Sequence, residues 1–255
     1  MTPPILMLGV DGDSTRIVYN RLAKEFGQFQ IIIESPVSRM TLLRTRIRKL
    51  GLPAALSQIA FLTLIRPLLE RSGKRRIENI KSEFELDSSP VPLNRVLQVP
   101  SINAPETMEQ IKRIDPKVIV VNGTRIIART VLGCTAAPFI NTHSGITPQY
   151  RGAHGGYWAL YNDDLENCGV TVHLVDPGID TGNIVDRALI KPTNDDSFVT
   201  YPYLQIAAGL PILIGAVRGG LDDTLKARPS AAGKSAVWYH PGFFQYLRAR
   251  LHGVR

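Results

Sequence analysis

Short apolar runs alternate with amphipathic stretches along the first part of the chain. Apolar runs of four to six residues bounded by turn residues predict buried strands, which are expected at 5–10, 30–33, 96–99, 118–121 and 139–142. Amphipathic periodicity predicts helices over 15–26 and 106–113. Strands that alternate with helices imply right-handed crossovers. We therefore expect an α/β fold with a doubly wound, mostly parallel sheet.

The pattern changes after Gly155. It predicts a short helix over 157–161, a strand over 169–175 with a hairpin or sheet partner over 183–190, and a long apolar helix over 198–217. An irregular tail from Leu221 onward ends in a short basic helix over 244–251. We interpret 1–220 as one domain and 221–255 as a C-terminal tail.

Residues 35–94 do not fit the alternation. About 60 residues separate two predicted strands here, although such connections usually include only about 10–15 residues of helix. Two helical patterns, 41–50 and 54–69, are interrupted by Gly51, Pro53 and Pro67. The segment is expected to be a helical insertion or a lid.

The net positive charge of the chain comes from one segment. The 255 residues carry 30 Lys and Arg against 22 Asp and Glu, which gives +8 and invites a nucleic-acid or anionic-surface interpretation. Between Arg39 and Arg76, however, ten basic residues face one acid, so this segment carries +9 and the remaining chain −1. The protein is a nearly neutral body with one basic segment.

The basic segment has two interpretations. Basic residues beside an apolar helix suit a membrane surface with anionic lipid, while a solvated charged face over a helical hairpin, packed on the core or a dimer mate, is the alternative. Its longest uncharged run, 50–65, has 16 residues and is shorter than the roughly 20 that a spanning helix needs. No secretory signal is apparent at the N-terminus, and Cys134 and Cys168 lack metal-ligand spacing. We expect a cytoplasmic protein, with membrane association as an open alternative.

A glycine turn joins the first strand to the first helix. The stretch 9–15 lacks the dinucleotide spacing G-x-G-x-x-G, and Asp11 and Asp13 place negative charge where a phosphate would bind. One interpretation is a tight turn with Asp13 or Ser14 as helix N-cap. The other makes Gly12, Asp13 and Ser14 part of a substrate site.

The strongest chemical signal runs from the strand at 139–142 to the loop at 178–182. Asn141 and His143 lie two apart at a strand end and share a face, and Asp180 follows between glycines. A His, an Asn and an Asp suit acyl transfer without a covalent intermediate, with donors for an oxyanion and a carboxylate for proton transfer. No G-x-S-x-G elbow and no zinc spacing support another chemistry. A polar loop with a satisfied His and a capping Asp is the structural alternative.

These residues resemble the folate-dependent formyltransferase family, which includes glycinamide ribonucleotide transformylase, methionyl-tRNA formyltransferase and the nucleotide-sugar N-formyltransferases. The family pattern Asn-x-His-x-x-x-x-Pro-x-x-x-Gly, followed by Leu/Ile-Asp-x-Gly, is matched by 141–152 and 179–182. The stretch Gly169-Val-Thr-Val-His173 also resembles the family. The clear resemblance covers about 118–190, with a looser match over 5–26 and an expected Rossmann-like formyltransferase fold.

The resemblance implies 10-formyltetrahydrofolate as donor and no metal. An amine would attack the formyl carbon through a tetrahedral intermediate, whose oxyanion Asn141 and His143 would stabilise. Asp180 would orient His143 and manage proton transfer. Backbone of two stretches would hold the pterin; the matching residues are Asn122, Gly123, Thr124, Arg125, Ile126, Ile127, Val175, Asp176 and Gly178.

The resemblance does not fix the acceptor. We favour an amino sugar on a nucleotide, with Tyr157 or Trp158 stacking on a base or sugar and Arg151 contacting an anion. Core packing of the two aromatic residues and a structural role for Arg151 remain the alternatives.

Other members of the resembled family suggest other activities. About 65 residues follow Ile190 and predict one helix and a tail, whereas methionyl-tRNA formyltransferases carry a further C-terminal domain, so we expect no nucleic-acid partner. A phosphoribosylglycinamide formyltransferase of purine synthesis, a formyltetrahydrofolate hydrolase and a non-catalytic binding module on the same fold stay open.

Overall fold

A seven-stranded sheet forms the centre of the molecule. The structure is a computed structural model and describes residues 4–230 and 233–254. The strands are β1 (Ile5–Gly9), β2 (Gln30–Glu34), β3 (Val96–Val99), β4 (Val118–Asn122), β5 (Phe139–His143), β6 (Tyr150–Gly152), β7 (Gly169–Leu174), β8 (Ile184–Leu189) and β9 (Ala236–Trp238). The sheet order is β3-β2-β1-β4-β5-β7-β8. In this order, the strands from β3 to β5 are parallel to one another. Strand β7 pairs antiparallel with β5 on one side and with β8 on the other. The predicted α/β class with a mostly parallel sheet is confirmed.

Helices cover both faces of the sheet. They are α1 (Asp13–Phe26), α2 (Arg39–Leu50), α3 (Leu52–Ala60), α4 (Arg66–Glu83), α5 (Pro105–Ile114), α6 (Arg129–Leu132), α7 (Gly155–Tyr161), α8 (Tyr201–Leu221) and α9 (Phe243–Leu251). Helices α1 and α8 pack on one face, and α5 and α6 pack on the other. The middle strands β1 and β4 are buried along their whole length, which explains why they are uninterrupted apolar runs in the sequence.

The predicted insertion is one long helix after α2. Helix α3 passes through a π-helical turn, Phe61–Ile65, directly into α4. The break expected at Pro67 is therefore wrong. Pro67 lies in the first turn of α4, and the wider π turn ends just before it, where the missing proline N–H leaves a carbonyl without its helical partner. Ile80 near the end of α4 packs in the core with the strands, so this part of the segment serves as an ordinary crossover helix.

The tail contains a strand that the sequence pattern does not indicate. Strand β9 pairs in parallel with β6, the last part of the segment 144–152 that follows Asn141 and His143 and that we call the catalytic loop. Helix α9 packs Tyr246 and Ala249 into an aromatic cluster that also contains Phe61, Tyr157 and Trp158. The tail thus holds the π-helical turn and the start of α7 together.

Two helical stretches are long and apolar enough to cross a membrane by length and composition, Leu52–Glu83 and Tyr201–Leu221. Half of the most apolar window of the second stretch is buried inside the protein, as in a core helix, against 17% for the first. Most residues of the most apolar window of the first stretch are therefore at least partly exposed.

Candidate active site

A cleft of about 700 Å³ opens at the carboxyl ends of β1, β4 and β5. This is where open α/β sheets bind ligands, and the volume suits a small-molecule site. All nine residues that were expected to hold a pterin line the cleft, as do Asn141, His143 and Asp180. The sequence motifs that lie apart along the chain are thus brought to one cavity.

Asp180 lies between two histidines. Its Oδ2 is 3.3 Å from His143 Nδ1, and its Oδ1 is 3.6 Å from His173 Nε2. The Asn141 amide Nδ2 is 3.1 Å from the same His173 Nε2. These contacts join Asn141, His143 and Asp180 into one polar cluster, with His173 as a fourth member that the sequence indicated only as part of the family-like stretch 169–173.

The hydrogen bonds fix the resting protonation of the two rings. His143 Nε2 lies 2.7 Å from the Tyr150 carbonyl oxygen, which can only accept, so Nε2 carries a hydrogen. By the same argument His173 Nδ1 donates to the Leu174 carbonyl at 2.8 Å, and its Nε2 accepts from the Asn141 amide. His143 Nδ1 therefore faces the Asp180 carboxylate and becomes its donor when the ring takes up a proton.

Burial and charge set the pKa values of this cluster. Burial lowers the pKa of His143 below its ordinary value, and the nearby Asp180 carboxylate only partly offsets this effect. Burial alone would raise the pKa of Asp180, but the protonated forms of His173 and His143 and the Gly152 N–H together hold it below its usual range. A neutral imidazole next to an ionised carboxylate is the resting state at neutral pH.

We expect His143 to titrate below the ordinary imidazole value, and lower still in an Asp180→Asn variant. The carboxylate is the group that favours the charged ring, so its removal leaves burial unopposed. NMR titration of the imidazole ring resonances, assigned with a His143→Gln variant, measures both values. An unchanged His143 titration in the Asp180→Asn variant would show that the two groups are not electrostatically coupled.

Two contacts from the catalytic loop hold the loop that carries Asp180 in place. The Gly152 N–H donates to Asp180 Oδ2 at 2.8 Å, and Arg151 Nη1 donates to the Ile179 carbonyl at 3.1 Å. Arg151 does not line the cleft. The predicted anion contact is therefore corrected to a structural role, because the guanidinium is used to fix the loop that carries Asp180.

The two aromatic residues at the start of α7 lie in the core. Tyr157 is 1% and Trp158 is 4% exposed, and neither lines the cleft. Tyr157 packs edge-on against Phe198, while Trp158 stacks on Trp238 and donates its indole N–H to the Tyr239 carbonyl. The prediction that either residue stacks on a substrate is wrong in this structure, because the aromatic cluster occupies both rings completely.

The glycine turn also lines the cleft. Gly12, Asp13 and Ser14 all line it, as expected for part of a substrate site. Helix α1 begins at Asp13 with Gly12 as N-cap and no side-chain cap, so the predicted capping by Asp13 or Ser14 is wrong. Instead, Ser14 Oγ donates to the Asn122 side chain at 3.0 Å, and Asp13 Oδ2 accepts from Lys81 Nζ at 2.9 Å and from the Tyr203 hydroxyl at 3.0 Å.

These contacts reduce the negative charge that the sequence placed at the turn. The hydrogen bond from Lys81 is the largest cause of a lowered pKa for Asp13, so this carboxylate stays ionised but is paired. Asp11 pairs with Arg16 at 2.9 Å on the exposed side of the turn. The turn is closer to neutral than its sequence suggests.

Glu34 is a structural support that the sequence analysis missed. It ends β2 and is buried; its Oε1 accepts the Arg125 N–H at 2.7 Å, its Oε2 accepts the Ile102 N–H at 2.9 Å, and the Arg125 guanidinium lies 2.6 Å from Oε2. The carboxylate thus fixes the backbone of the loop that forms the expected pterin wall. The rest of its strand is an apolar run of three isoleucines, so only the charged residue at the strand end could have indicated that Glu34 supports the loop.

A second histidine pair also lines the cleft. His154 Nε2 and His240 Nδ1 are 3.0 Å apart, and His240 comes from the C-terminal tail. Burial lowers the pKa of His154 far below its ordinary value and that of His240 to about 4, with Arg46 and Arg66 adding to the effect on His240. Both rings are neutral at neutral pH, so the pair offers uncharged hydrogen-bonding groups. Within the described residues, no cluster of three or more His, Cys, Asp and Glu side chains could hold a metal ion.

Comparison with known proteins agrees with this arrangement. The family model described as formyl transferase matches residues 72–202, about half of the chain, and the chain therefore belongs to the formyl transferase family. Among curated proteins it is 36% identical over 108 residues to a methionyl-tRNA formyltransferase of Caldanaerobacter subterraneus, covering 42% of this chain and 35% of that protein. The chain spans between about a third and a half of the length of the curated relatives it matches.

Two solved structures share the fold. An N-formyltransferase from Helicobacter canadensis, in complex with folinic acid and dTDP-3-aminofucose, superposes with a TM-score of 0.57 at 16% identity, covering 93% of this chain and 71% of that one. A glycinamide ribonucleotide transformylase from Symbiobacterium toebii superposes with a TM-score of 0.56 at 15% identity, covering 88% and 93%. These similarities confirm the formyltransferase Rossmann-like fold.

Proposed function

We propose that the protein is an N-formyltransferase that moves a formyl group from 10-formyltetrahydrofolate to a primary amine. The observation that carries this proposal is the cluster of Asn141, His143 and Asp180, held together at the strand ends of an open cleft. Family membership supports the same reaction class. The donor would supply the activated formyl carbon when bound, and the protein supplies the polar groups around it.

Asn141 provides a hydrogen-bond donor, and His143 provides positive charge, for the oxyanion that develops when an amine adds to a formyl carbon. The Asn141 amide has two N–H groups, and only one is used by His173. His143 already donates Nε2–H to the Tyr150 carbonyl, so additional stabilisation comes from a proton taken up at Nδ1, next to Asp180. Negative charge developing nearby favours this charged ring.

Asp180 is the base of the cluster. Its lowered pKa keeps it ionised at neutral pH, and it faces both the imidazole and the cleft. The proton lost by the attacking amine can pass to this carboxylate directly or through one water. The Gly152 N–H and the Arg151 contact keep the carboxylate in place as it changes charge.

The cleft wall suits a flat heterocycle. Ile126 lines the cleft and is 55% exposed, which leaves an apolar side chain free to pack against a ring. The adjacent backbone at Arg125 and Ala128 is fixed by side chains, since Glu34 accepts from the first N–H and Asn103 from the second. A wall of fixed backbone beside an exposed apolar side chain fits the pterin of a folate donor.

For the acceptor we propose an amino sugar carried on a nucleotide. The space above Gly12 is open, the charge of the turn is offset by Lys81, and the neutral His154–His240 pair lines the same cleft. These groups leave room for a phosphate near the helix N-terminus and hydrogen bonds for a sugar. The Helicobacter canadensis neighbour, described in complex with dTDP-3-aminofucose, supports this acceptor class.

Methionyl-tRNA is the second candidate acceptor. It is favoured by sequence similarity, because the curated relatives are methionyl-tRNA formyltransferases. The match to one of these relatives covers 62% of this chain, whereas the sugar-enzyme neighbour superposes on 93% of it. We therefore place the nucleotide-linked amino sugar first.

Release of tetrahydrofolate from 10-formyltetrahydrofolate tests both the proposed reaction and the proposed acceptor. The assay compares nucleotide-linked amino sugars, glycinamide ribonucleotide, methionyl-tRNA and water alone. We expect turnover that depends on an amino sugar; turnover with methionyl-tRNA alone would overturn the acceptor, and turnover in water alone would indicate a hydrolase. Binding of folinic acid without turnover of any acceptor would instead indicate a non-catalytic module.

A further inference from the structure

Exposed apolar side chains are concentrated on one part of the surface. Among the described residues, nine of the fifteen large exposed apolar side chains lie on α2, on the continuous helix Leu52–Glu83 or on α9. These nine are Met40, Leu42, Leu52, Leu56, Leu64, Leu68, Phe244, Leu247 and Leu251. We call this set the docking surface. Soluble monomers rarely expose contiguous apolar patches without a function.

Helix α9 is apolar on two sides. Tyr246 and Ala249 face the aromatic cluster, whereas Phe244, Leu247 and Leu251 are 75%, 41% and 86% exposed. The spacing of three and four residues places these exposed side chains on one stripe of the helix. A short helix that only covered the core would have a polar outer stripe here.

The apolar part is continuous between the insertion and the tail. Phe244 of α9 shares a groove with Leu50 at the end of α2 and Ala54 in α3. Helix α2 has no buried residue, so its Met40 and Leu42 add to the same exposed region without any role in the core. Leu56 and Leu52, and Leu68 and Leu64, form pairs four residues apart along the long helix.

Positive charge surrounds these side chains. Of the ten basic residues from Arg39 to Arg76, only Arg66 and Arg76 have an ion-pair partner among residues 4–230 and 233–254. The other eight are Arg39, Arg44, Arg46, Arg48, Lys49, Arg71, Lys74 and Arg75. Arg248 and Arg250 of α9 are exposed beside the apolar stripe. The surface therefore combines apolar side chains with cations that lack acids to neutralise them.

We propose that the docking surface binds the headgroup region of a membrane that contains anionic lipid. Apolar side chains that enter the acyl boundary, with Lys and Arg at the level of the phosphates, are the pattern of an interfacial helix. RNA would use the cations but would leave Leu56, Leu64 and Phe244 without an apolar partner. The long helix lies on the membrane and does not cross it, because Phe61 and Ile80 pack one of its sides against the protein.

Vesicle co-sedimentation of the full chain tests this proposal. We expect binding to vesicles of phosphatidylcholine mixed with phosphatidylglycerol and little binding to phosphatidylcholine alone. Changing Arg44, Arg48 and Lys49 together to Gln should weaken binding by about fivefold per charge. Leu56→Gln combined with Phe244→Gln should reduce binding at high salt as well as at low salt, because these side chains act through apolar contact.

Matched controls lie on the opposite face of the sheet and elsewhere on the surface. Arg113→Gln with Arg129→Gln removes exposed charges on α5 and α6, and Leu93→Gln with Leu165→Gln removes exposed apolar side chains outside the docking surface. Both controls should bind vesicles like the parent chain. Equal binding by all variants, or binding to neutral vesicles that the Leu56 and Phe244 changes do not affect, would overturn the proposal.

Two other occupants give distinct results. Retention of a labelled tRNA with no vesicle binding would show that the surface binds RNA. A concentration-dependent dimer that Leu56→Gln and Phe244→Gln dissociate, again without vesicle binding, would show that a second copy covers it. Tetrahydrofolate release measured on the same variants separates this proposal from the proposed function, since none of these residues lines the cleft.

Discussion

Replacing Asp180 with Asn is expected to lower kcat/KM for formyl transfer by about 10²–10⁴-fold, the range typical of a lost general base. The variant keeps the size of the side chain and an oxygen that can accept the Gly152 N–H. It loses the negative charge that supports a proton on His143 Nδ1, and it loses the acceptor for the proton of the amine. The loss should therefore appear in kcat, with a smaller change in the affinity for folinic acid.

The control for this prediction is Asp186→Asn. Asp186 is exposed on β8, in the hairpin of β7 and β8 whose connecting loop carries Asp180, but it lies outside the cleft. The same chemical change at Asp186 should therefore leave kcat/KM within about twofold of the parent. Steady-state tetrahydrofolate release measures the rates, and circular dichroism together with folinic acid binding shows that both variants are folded. An Asp180→Asn variant that keeps full activity would remove Asp180 from the chemistry.

The parts of the site that could be predicted from the sequence are those that lie within one segment. Asn141 and His143 share one strand, so the alternation of side chains alone places them on one face. The loop with Asp180 follows the antiparallel neighbour of that strand, whose carboxyl end at Leu174 lies beside Ile140 and not beside His143. Side-chain alternation was therefore enough to place Asn141 and His143 together, whereas Asp180 was placed beside them by the family resemblance.

The parts that could not be predicted depend on contacts between distant segments. Pairing of β9 with β6, the His154–His240 pair and the burial of Trp158 against Trp238 all require the tail to return to the catalytic loop. No periodicity in 221–255 indicates where that tail packs. The sequence shows aromatic residues after the loop but not the cluster that encloses them, so it could not decide between a substrate contact and core packing for Tyr157 and Trp158.

The location of the basic residues could be predicted from the sequence, but their ion-pair partners could not. The sequence places the basic residues of 39–76 in one segment, and that location is correct. It could not separate cations that are paired within the fold from those that face solvent. Arg76 belongs to the first group: its guanidinium donates to both oxygens of Asp196, 120 residues along the chain, at 2.9 and 3.2 Å.

The ion pair between Arg76 and Asp196 is expected to make a large contribution to stability. The Asp196 side chain is fully buried and also accepts hydrogen bonds from the Thr193 N–H and hydroxyl and from the Thr200 hydroxyl. Burial alone would raise the pKa of Asp196, but Arg76 and Thr193 outweigh burial and lower it. This carboxylate therefore stabilises the fold above its unfolded pKa, and that stabilisation is lost as pH falls through its lower folded pKa.

Arg76→Met should lower the free energy of unfolding by about 3 kcal/mol near neutral pH, because it leaves a buried carboxylate without its cation. Without Arg76, burial raises the pKa of Asp196, so the carboxyl becomes protonated more easily and the difference from the parent should shrink toward about pH 4. Urea unfolding of both chains at the two pH values measures this difference in the free energy of unfolding.

Arg75→Met is the matched control. Arg75 is exposed, and within the described part of the chain it has no ion-pair partner, so its replacement should change the free energy of unfolding by no more than about 0.5 kcal/mol. If Arg76→Met is no worse than Arg75→Met at neutral pH, the hydrogen bonds from Thr193 and Thr200 hold Asp196 by themselves, and the junction between α4 and the start of α8 does not depend on the ion pair.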